Sequence, residues 1–192
     1  MLITGSGSGI GRGLAELAAA NGWDAIVSDL DRHAANEVAK ALVADGGRAE
    51  AFELNVTSSD SIGRMMEALG GRRVDVLINN AGVQYVANLE DFPPDEWDLL
   101  VRVMLNGACM MTRAVLPGMK RHGFGRIVNI GSIHSLVASP FKSAYVAAKH
   151  GLLGFSKVVA LETAQTDITI NTICPSLRLE KVDRARYQSR HG

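Results

Sequence analysis

The chain has 192 residues, 47% of them hydrophobic, which is enough to bury a substantial core. Its 20 basic and 20 acidic residues leave no net charge, which argues against a general role in binding nucleic acid or anionic membranes. We expect neither a signal peptide nor a membrane span, because no stretch approaches about eighteen apolar residues. Cys109 and Cys174 predict reduced core thiols in a cytoplasmic protein, and no metal-ligand cluster is evident.

Short apolar strands alternate with helical patterns along the chain. We predict strands near 1–4, 24–29, 48–54, 74–79, 126–131 and 168–173, and helices near 10–21, 32–45, 59–69, 95–118 and 143–165. Strands that alternate with helices form a parallel sheet with helices on both faces. The sequence therefore predicts an α/β fold, a doubly wound, Rossmann-like parallel sheet of six strands.

A glycine-rich turn joins the first strand to an alanine-rich amphipathic helix. Its spacing is Gly5-x-x-x-Gly9-x-Gly11, which differs from the commoner Gly-x-Gly-x-x-Gly pattern. Glycines there permit positive φ angles and close approach of the backbone to a phosphate, and the helix amino terminus adds partial positive charge. The second strand ends in Asp29, where a carboxylate can bind the adenosine ribose hydroxyls and would repel a 2′-phosphate. The pattern favours NAD over NADP.

Three further residues form a candidate proton-transfer group. Tyr145 and Lys149 lie one helical turn apart and project from the same face of a predicted helix. A phenol transfers protons poorly at neutral pH unless a positive charge favours the phenolate, and Lys149 is placed to supply that charge. The Ser132 hydroxyl can hold a carbonyl or alcohol oxygen against the Tyr145 oxygen. A tyrosine and a lysine at this spacing are common on helices, so the interpretation depends on the glycine turn in the same chain.

Together these motifs resemble the short-chain dehydrogenase/reductase family. The matching segments occur in family order up to Pro175 and comprise 4–11, 79–82, Asn106, Ser132, Tyr145, Lys149 and 171–175. The resemblance implies that Asn106, which holds a water in the proton relay, is catalytic together with Ser132, Tyr145 and Lys149. It also implies a set of cofactor-binding residues: Gly5, Ser8, Gly9, Ile10, Gly11, Asp29, Asn55, Val56, Asn79, Ala81, Gly82, Tyr145 and Lys149.

Segments 79–98 and 135–164 resemble the branch of this family that interconverts D-3-hydroxybutyrate and acetoacetate. In that branch the residues matching Gln84, His134 and Lys142 surround the substrate carboxylate, beside those matching Ser132 and Tyr145. An amide, an imidazole and an ammonium can each bond a carboxylate, although all three are also common on solvated surfaces. The resemblance implies a small hydroxy or keto acid as substrate.

The chain departs from the family pattern after Pro175, where the usual Pro-Gly-x-Val-x-Thr continuation is missing. We predict a dinucleotide-binding and catalytic domain at 1–175 and a polar, non-family tail at 176–192, without the family's seventh strand and substrate lid. Asn55 stands where the family commonly has an aspartate that accepts the adenine amino proton, so weaker adenine binding is expected.

Further interpretations concern assembly and activity. The family resemblance implies a homo-oligomer formed through the helices near 95–118 and 143–165. It also implies an NAD-dependent 3-hydroxybutyrate dehydrogenase. Alternatively, the chain is a truncated, weakly active or inactive homologue that only binds dinucleotide or oligomerises, or a short-chain dehydrogenase for another small hydroxy or keto compound.

Overall fold

Six parallel strands form one sheet in the computed structural model, which describes residues 1–176. The strands are β1 Leu2–Thr4, β2 Asp24–Asp29, β3 Arg48–Glu53, β4 Val76–Asn79, β5 Gly125–Ile130 and β6 Ile168–Ile173. Their order is β3-β2-β1-β4-β5-β6, and all neighbours pair in parallel. The predicted doubly wound fold is confirmed. The predicted tail and missing seventh strand fall on residues 177–192, outside the described part, apart from Ser176.

Within residues 1–176, six α-helices connect the strands: α1 Gly9–Ala20, α2 Arg32–Ala44, α3 Ser59–Ala68, α4 Pro94–Val101, α5 Gly107–His122 and α6 Ser143–Glu162. Local chemistry fixes several helix ends. Asp31 caps α2 by accepting hydrogen bonds from two backbone amides, and Ser58 caps α3 by accepting one, from the Ser61 amide. Beyond α5, Gly123 adopts a φ of 69°, the left-handed conformation typical of helix ends.

Alternate residues of the strands point to opposite faces of the sheet and pack into two hydrophobic cores. Leu2, Leu77 and Ile127 pack on the face covered by α3, α5 and α6. Ile3 and Val27 pack on the other face, which α1 and α2 cover. Because both faces are covered, the central strands are apolar on both sides, and this is why they appear in the sequence as short continuous apolar runs.

The helix predicted near 95–118 extends further and is less regular than expected. It continues to His122, and a π-helical segment, Arg102–Asn106, separates α4 from α5. A π-helical turn inserts an extra residue, so it rotates the side chains that follow it relative to a regular helix, and such turns are frequent at functional sites.

The combined helix Pro94–His122 is 29 residues long, with a window of mean hydropathy 1.4, so its length and composition would suffice to cross a membrane. The sequence expectation of no membrane span is based on the absence of a run of about eighteen apolar residues, and Arg102, Asn106 and Arg113 interrupt the apolar residues of this helix. Core packing explains much of this apolarity, because Leu100, Met104 and Met111 are buried. Only 39% of the window is buried, however.

Cys109 on this helix is exposed, which corrects the prediction of a core thiol.

Candidate active site

An open cleft of about 1120 Å³ lies beyond the carboxyl ends of the central strands, where the strand order changes direction. This is the position at which open α/β sheets bind ligands. The structure brings six predicted site residues into the cleft wall: Gln84, Ser132, His134, Lys142, Tyr145 and Lys149. These residues come from three separate segments of the chain, so the fold creates a proximity that sequence order alone does not give.

Ser132 is held rigidly just after β5. A Cβ at Gly131 would crowd the side chains of Thr172 and Ser135, so the backbone passes through a space that suits glycine. The Ser132 amide then donates to Ser135 Oγ at 3.2 Å, which begins a single 3-10 turn, Ile133–Ser135. Ser132 is buried in the protein, but its side chain lines the cleft.

Lys149 lies one turn after Tyr145 on α6, with its Nζ atom 5.7 Å from the centre of the Tyr145 ring. Its side chain is only 5% exposed, and Nζ donates to the Ile130 carbonyl at 2.6 Å. Burial lowers the pKa of Lys149 to about 8, against a smaller opposing effect of Cys174. The ammonium form therefore prevails at pH 7 and places a positive charge beside the phenol, as the sequence predicts.

His134 uses both of its ring nitrogens within the protein. Nδ1 lies 3.2 Å from Ser132 Oγ, and Nε2 lies 2.8 Å from Ser139 Oγ. The ring also meets Tyr145 edge to face, with centroids 5.8 Å apart. The predicted contact of this imidazole with a substrate carboxylate would require one of these hydrogen bonds to break. Burial, together with the charges of Lys142 and His150, lowers the pKa of His134, so the ring is neutral at pH 7.

The glycine turn forms a cradle at the other end of the cleft. Gly5 and Gly9 have φ angles of 62° and 54°, and a Cβ at Gly11 would collide with the Gly5 carbonyl. Ser8 precedes α1 but its side chain caps no amide, so the helix amino terminus is left open for an anion. This arrangement suits a phosphate group. Ile10 follows in the cleft wall.

Asn80 and Thr4, which sequence analysis did not assign to the site, fix the shape of this turn. Asn80 Nδ2 donates to the carbonyls of Thr4 and Gly5 at 3.0 and 2.8 Å. Thr4 Oγ1 accepts the amides of Asn80 and Ala81. The signal was present, because Asn80 lies in the 79–82 motif, but the hydrogen-bond partners depend on β1 and β4 being neighbours. Gly82, from the same motif, lines the cleft.

Asp29 lies beside the glycine turn, as predicted. Its Oδ2 accepts the Gly7 amide at 2.9 Å, and Oδ1 accepts the Asp31 amide at 3.1 Å. Asn55 has a more local role, since its Oδ1 accepts both the amide and the hydroxyl of Thr57. The side-chain oxygen of Asn55 is thus already engaged in shaping this turn.

The structure does not bring Asn106 into the site. Its side chain is exposed at the end of the π-helical segment, whereas buried Met104 lines the cleft near Lys149. The helical spacing of Leu100, Met104 and Ala108, all buried, explains this, because residues four apart share a face. That periodicity was readable in the sequence and would have directed attention to Met104.

Asn79 and Val56, two of the predicted cofactor-binding residues, do not line the open cleft itself but a small cavity beside it, which shares Met104, Ile130 and Lys149 with the cleft. Asn79 is buried, and its Nδ2 donates to Asn129 Oδ1 at 2.8 Å and to Thr112 Oγ1 at 3.2 Å, which ties β4 to β5 and α5. Val56 is buried and borders the space above Gly107. The side chains of both residues therefore have structural roles here.

Comparisons with known proteins agree with this geometry. A family model described as short chain dehydrogenase matches residues 1–188. The chain is 45% identical over 193 residues to a D-beta-hydroxybutyrate dehydrogenase of Cupriavidus necator, covering 98% of this chain and 74% of that protein. A protein of the same name from Rhizobium meliloti is 44% identical, with 91% and 69% covered.

More distant relatives include the 3-oxoacyl-[acyl-carrier-protein] reductase FabG of Escherichia coli, 34% identical over 96% of this chain and 75% of that protein. The crystal structure of a short-chain dehydrogenase from Streptomyces avermitilis superposes with a TM-score of 0.84 at 35% identity. That alignment covers 91% of this chain but 64% of the solved chain, so this chain spans less than two thirds of its length. The family match, the sheet order and the serine, tyrosine and lysine in one cleft agree that the chain belongs to the short-chain dehydrogenase family.

Proposed function

We propose that the protein is an NAD-dependent dehydrogenase that interconverts D-3-hydroxybutyrate and acetoacetate. The observation that carries this proposal is a single cleft that combines a proton-transfer group, Ser132, Tyr145 and Lys149, with two carboxylate donors, Gln84 and Lys142. The proton-transfer group supports an oxidoreductase, and the two donors support a substrate that carries a carboxylate. Two relatives that are 44–45% identical carry the name D-beta-hydroxybutyrate dehydrogenase, which supports the same substrate.

The cofactor is assigned from the glycine turn and Asp29. The open amino terminus of α1 and the positive φ angles of Gly5 and Gly9 suit a pyrophosphate. Asp29 lies next to this turn, where its carboxylate would accept hydrogen bonds from ribose hydroxyls and repel a 2′-phosphate. When bound, the nicotinamide supplies the acceptor for the hydride that leaves the substrate carbon.

The residues of the chain handle the proton. The Tyr145 oxygen takes the proton of the substrate hydroxyl. The Ser132 hydroxyl donates a hydrogen bond to the substrate oxygen while that oxygen becomes a carbonyl. Lys149, whose Nζ lies 5.7 Å from the centre of the phenol ring, places a positive charge beside the group that transfers the proton. Because Nζ is anchored on the Ile130 carbonyl, its charge stays fixed during the reaction.

Lys142 and Gln84 select the substrate. A carboxylate that leaves water needs charged or strongly polar donors to offset its desolvation. The Lys142 ammonium and the Gln84 amide line the same cleft as Tyr145. Together they would hold the carboxylate at one end of the substrate, with the hydroxyl at Tyr145.

We further propose that the protein is a homo-oligomer that pairs through α6 and the Pro94–His122 helix. Much of that helix lies outside the core, and Leu161 on α6 is 80% exposed. Large apolar side chains outside the core commonly mark interfaces when they form a patch. Sedimentation of the purified chain, compared with a Leu161→Glu variant, tests this directly: a smaller species is expected for the variant.

The functional proposal is tested with purified protein in two steps. NAD and NADP are titrated first, and turnover of D-3-hydroxybutyrate is then measured beside the L-enantiomer and an uncharged 3-hydroxybutyrate ester. We expect tighter binding of NAD and turnover confined to the D-acid. Binding of NAD without turnover of any of these compounds would favour a homologue that only binds dinucleotide. Equal turnover of acid and ester would favour a dehydrogenase for another hydroxy or keto substrate.

A further inference from the structure

A chain of three polar side chains runs along one wall of the cleft and ends at the catalytic serine. Ser139 Oγ lies 2.8 Å from His134 Nε2, and His134 Nδ1 lies 3.2 Å from Ser132 Oγ. The backbone amide of His134 also donates to Ser132 Oγ at 3.2 Å. Each hydroxyl and the neutral imidazole can donate only one proton. The direction of one hydrogen bond in this series therefore determines the direction of the next.

The proton count at Ser132 distinguishes two states. A hydroxyl has one proton and two acceptor positions, and the His134 amide fills one of those positions. If Nδ1 carries the imidazole proton, it fills the second position, and the Ser132 proton is free for a substrate oxygen. If Nε2 carries it, the Ser132 proton points at Nδ1 instead, and the substrate oxygen receives no hydrogen bond from Ser132.

We propose that His134 is a positioning residue for Ser132, with Ser139 donating to Nε2 so that the imidazole proton stays on Nδ1 and the Ser132 hydroxyl is directed at the substrate oxygen. The distances agree with these directions. A separation of 3.2 Å lies within the range of N–H donors and is long for a hydroxyl donor, whereas 2.8 Å is typical of a hydroxyl donor. This inference rests on the proposed dehydrogenase function and adds a role that differs from carboxylate binding.

The surroundings of His134 make its tautomer, and not its charge, the controlling variable. The charged groups that act on the ring are Lys142 and His150, and Tyr145 packs against its edge. Burial and these charges lower the pKa of His134, so it is neutral at pH 7. Protonation in acid would still leave a proton on Nδ1, so the Ser132 direction persists at low pH.

The first test is a double-mutant cycle on the reduction of acetoacetate. His134→Phe removes the Nδ1 donor and should lower kcat about five- to tenfold, the effect of one misdirected hydrogen bond. His134→Asn places an amide near the position of Nδ1 and should recover most of that loss. In a Ser132→Ala background, His134→Phe should have no further effect, because the two residues act through one hydrogen bond. His150→Asn removes a neighbouring imidazole and serves as the matched control.

The cycle separates this role from carboxylate binding. If His134 instead binds the substrate carboxylate, His134→Phe will raise KM in the Ser132→Ala background as well, and that outcome would overturn the proposal. Equal losses in His134→Phe and His134→Asn would overturn it too, because they would show that the donor at Nδ1 has no role.

The second test needs no turnover, so it stands even if the proposed dehydrogenase activity is absent. ¹⁵N NMR of histidine-labelled protein reports which ring nitrogen carries the proton, and His134→Asn identifies the signal. We expect the Nδ1–H form at pH 7 in the wild-type protein and an increased Nε2–H population in Ser139→Ala. A dominant Nε2–H form in the wild type would refute the proposal. Where turnover exists, the activity of Ser139→Ala relative to wild type should recover as the pH falls and His134 becomes protonated.

Discussion

Replacing Lys149 with methionine should stabilise the fold while it abolishes activity. Methionine has a similar length and no charge, so it can occupy the same buried space without the cost of burying an ammonium. Lys149 is only 5% exposed, and its one hydrogen bond to the described part of the chain goes to the Ile130 carbonyl. The residue is therefore kept for its chemistry at a cost in stability.

The expected gain in folding free energy follows from the pKa of Lys149. Burial lowers it from the ordinary value of 10.5 to about 8. Each pKa unit corresponds to about 1.4 kcal/mol, so at pH 7 the buried ammonium costs about 3 kcal/mol of folding free energy. Methionine cannot donate to Ile130, which removes about 1 kcal/mol of stabilisation. The net gain of about 2 kcal/mol corresponds to a Tm that is about 4–8 °C higher for a chain of this size.

The stability difference between Lys149→Met and the wild type should depend on pH. Between pH 8 and 10.5 the unfolded chain binds the lysine proton and the folded protein does not, so the wild type gains stability as the pH rises through this window. The advantage of Lys149→Met should therefore shrink and disappear by pH 10.5. Thermal unfolding of both proteins across this range measures it, with Lys157→Met, an exposed position on the same helix, as the matched control. A variant no more stable than wild type at pH 7, or an advantage that does not change with pH, would refute the reasoning.

Four further outcomes are expected. Tyr145→Phe should reduce turnover by at least about a hundredfold with little change in NAD affinity, since the phenol acts on the proton; turnover near the original rate would show that another group transfers it. Asp29→Ala should narrow the difference between NAD and NADP affinities measured by titration, and equal affinities in the unaltered chain would contradict the cofactor assignment. Lys142→Ala should lower kcat/KM for 3-hydroxybutyrate about ten- to a hundredfold and spare an uncharged alcohol. Asn106→Ala should leave kcat within about twofold, because its side chain is exposed; a loss as large as that of Tyr145→Phe would restore it to the site.

The sequence predicts the fold well because its signals are local and repeated. Each buried strand is a short apolar run, each helix has an apolar face, and Gly5 to Gly11 mark the turn between the first strand and helix. The family motifs then supply the order of Ser132, Tyr145 and Lys149. These patterns can be recognised without knowing which strands are neighbours in the sheet.

Other features of the site depend on contacts between residues that are distant in the sequence. Asn106 resembles a family residue by type, but the helical face that carries Leu100 and Ala108 turns Met104 inward. The role of Asn79 depends on Thr112 and Asn129, which lie far along the chain, so no local pattern reveals it. The contacts of His134 depend on how the loop after β5 folds back. The spacing of motifs therefore could not predict the direction of these side chains or their hydrogen-bond partners that are distant in the sequence.

The proposed function requires one cleft to hold both the proton-transfer group and a carboxylate site. The most direct measurement is the reduction of NAD by the purified chain with D-3-hydroxybutyrate, followed by absorbance and repeated with Tyr145→Phe and Lys142→Ala. We expect measurable turnover that Tyr145→Phe nearly abolishes and that Lys142→Ala lowers for the acid but not for an uncharged alcohol. Turnover of the acid that is unaffected by both substitutions would contradict it.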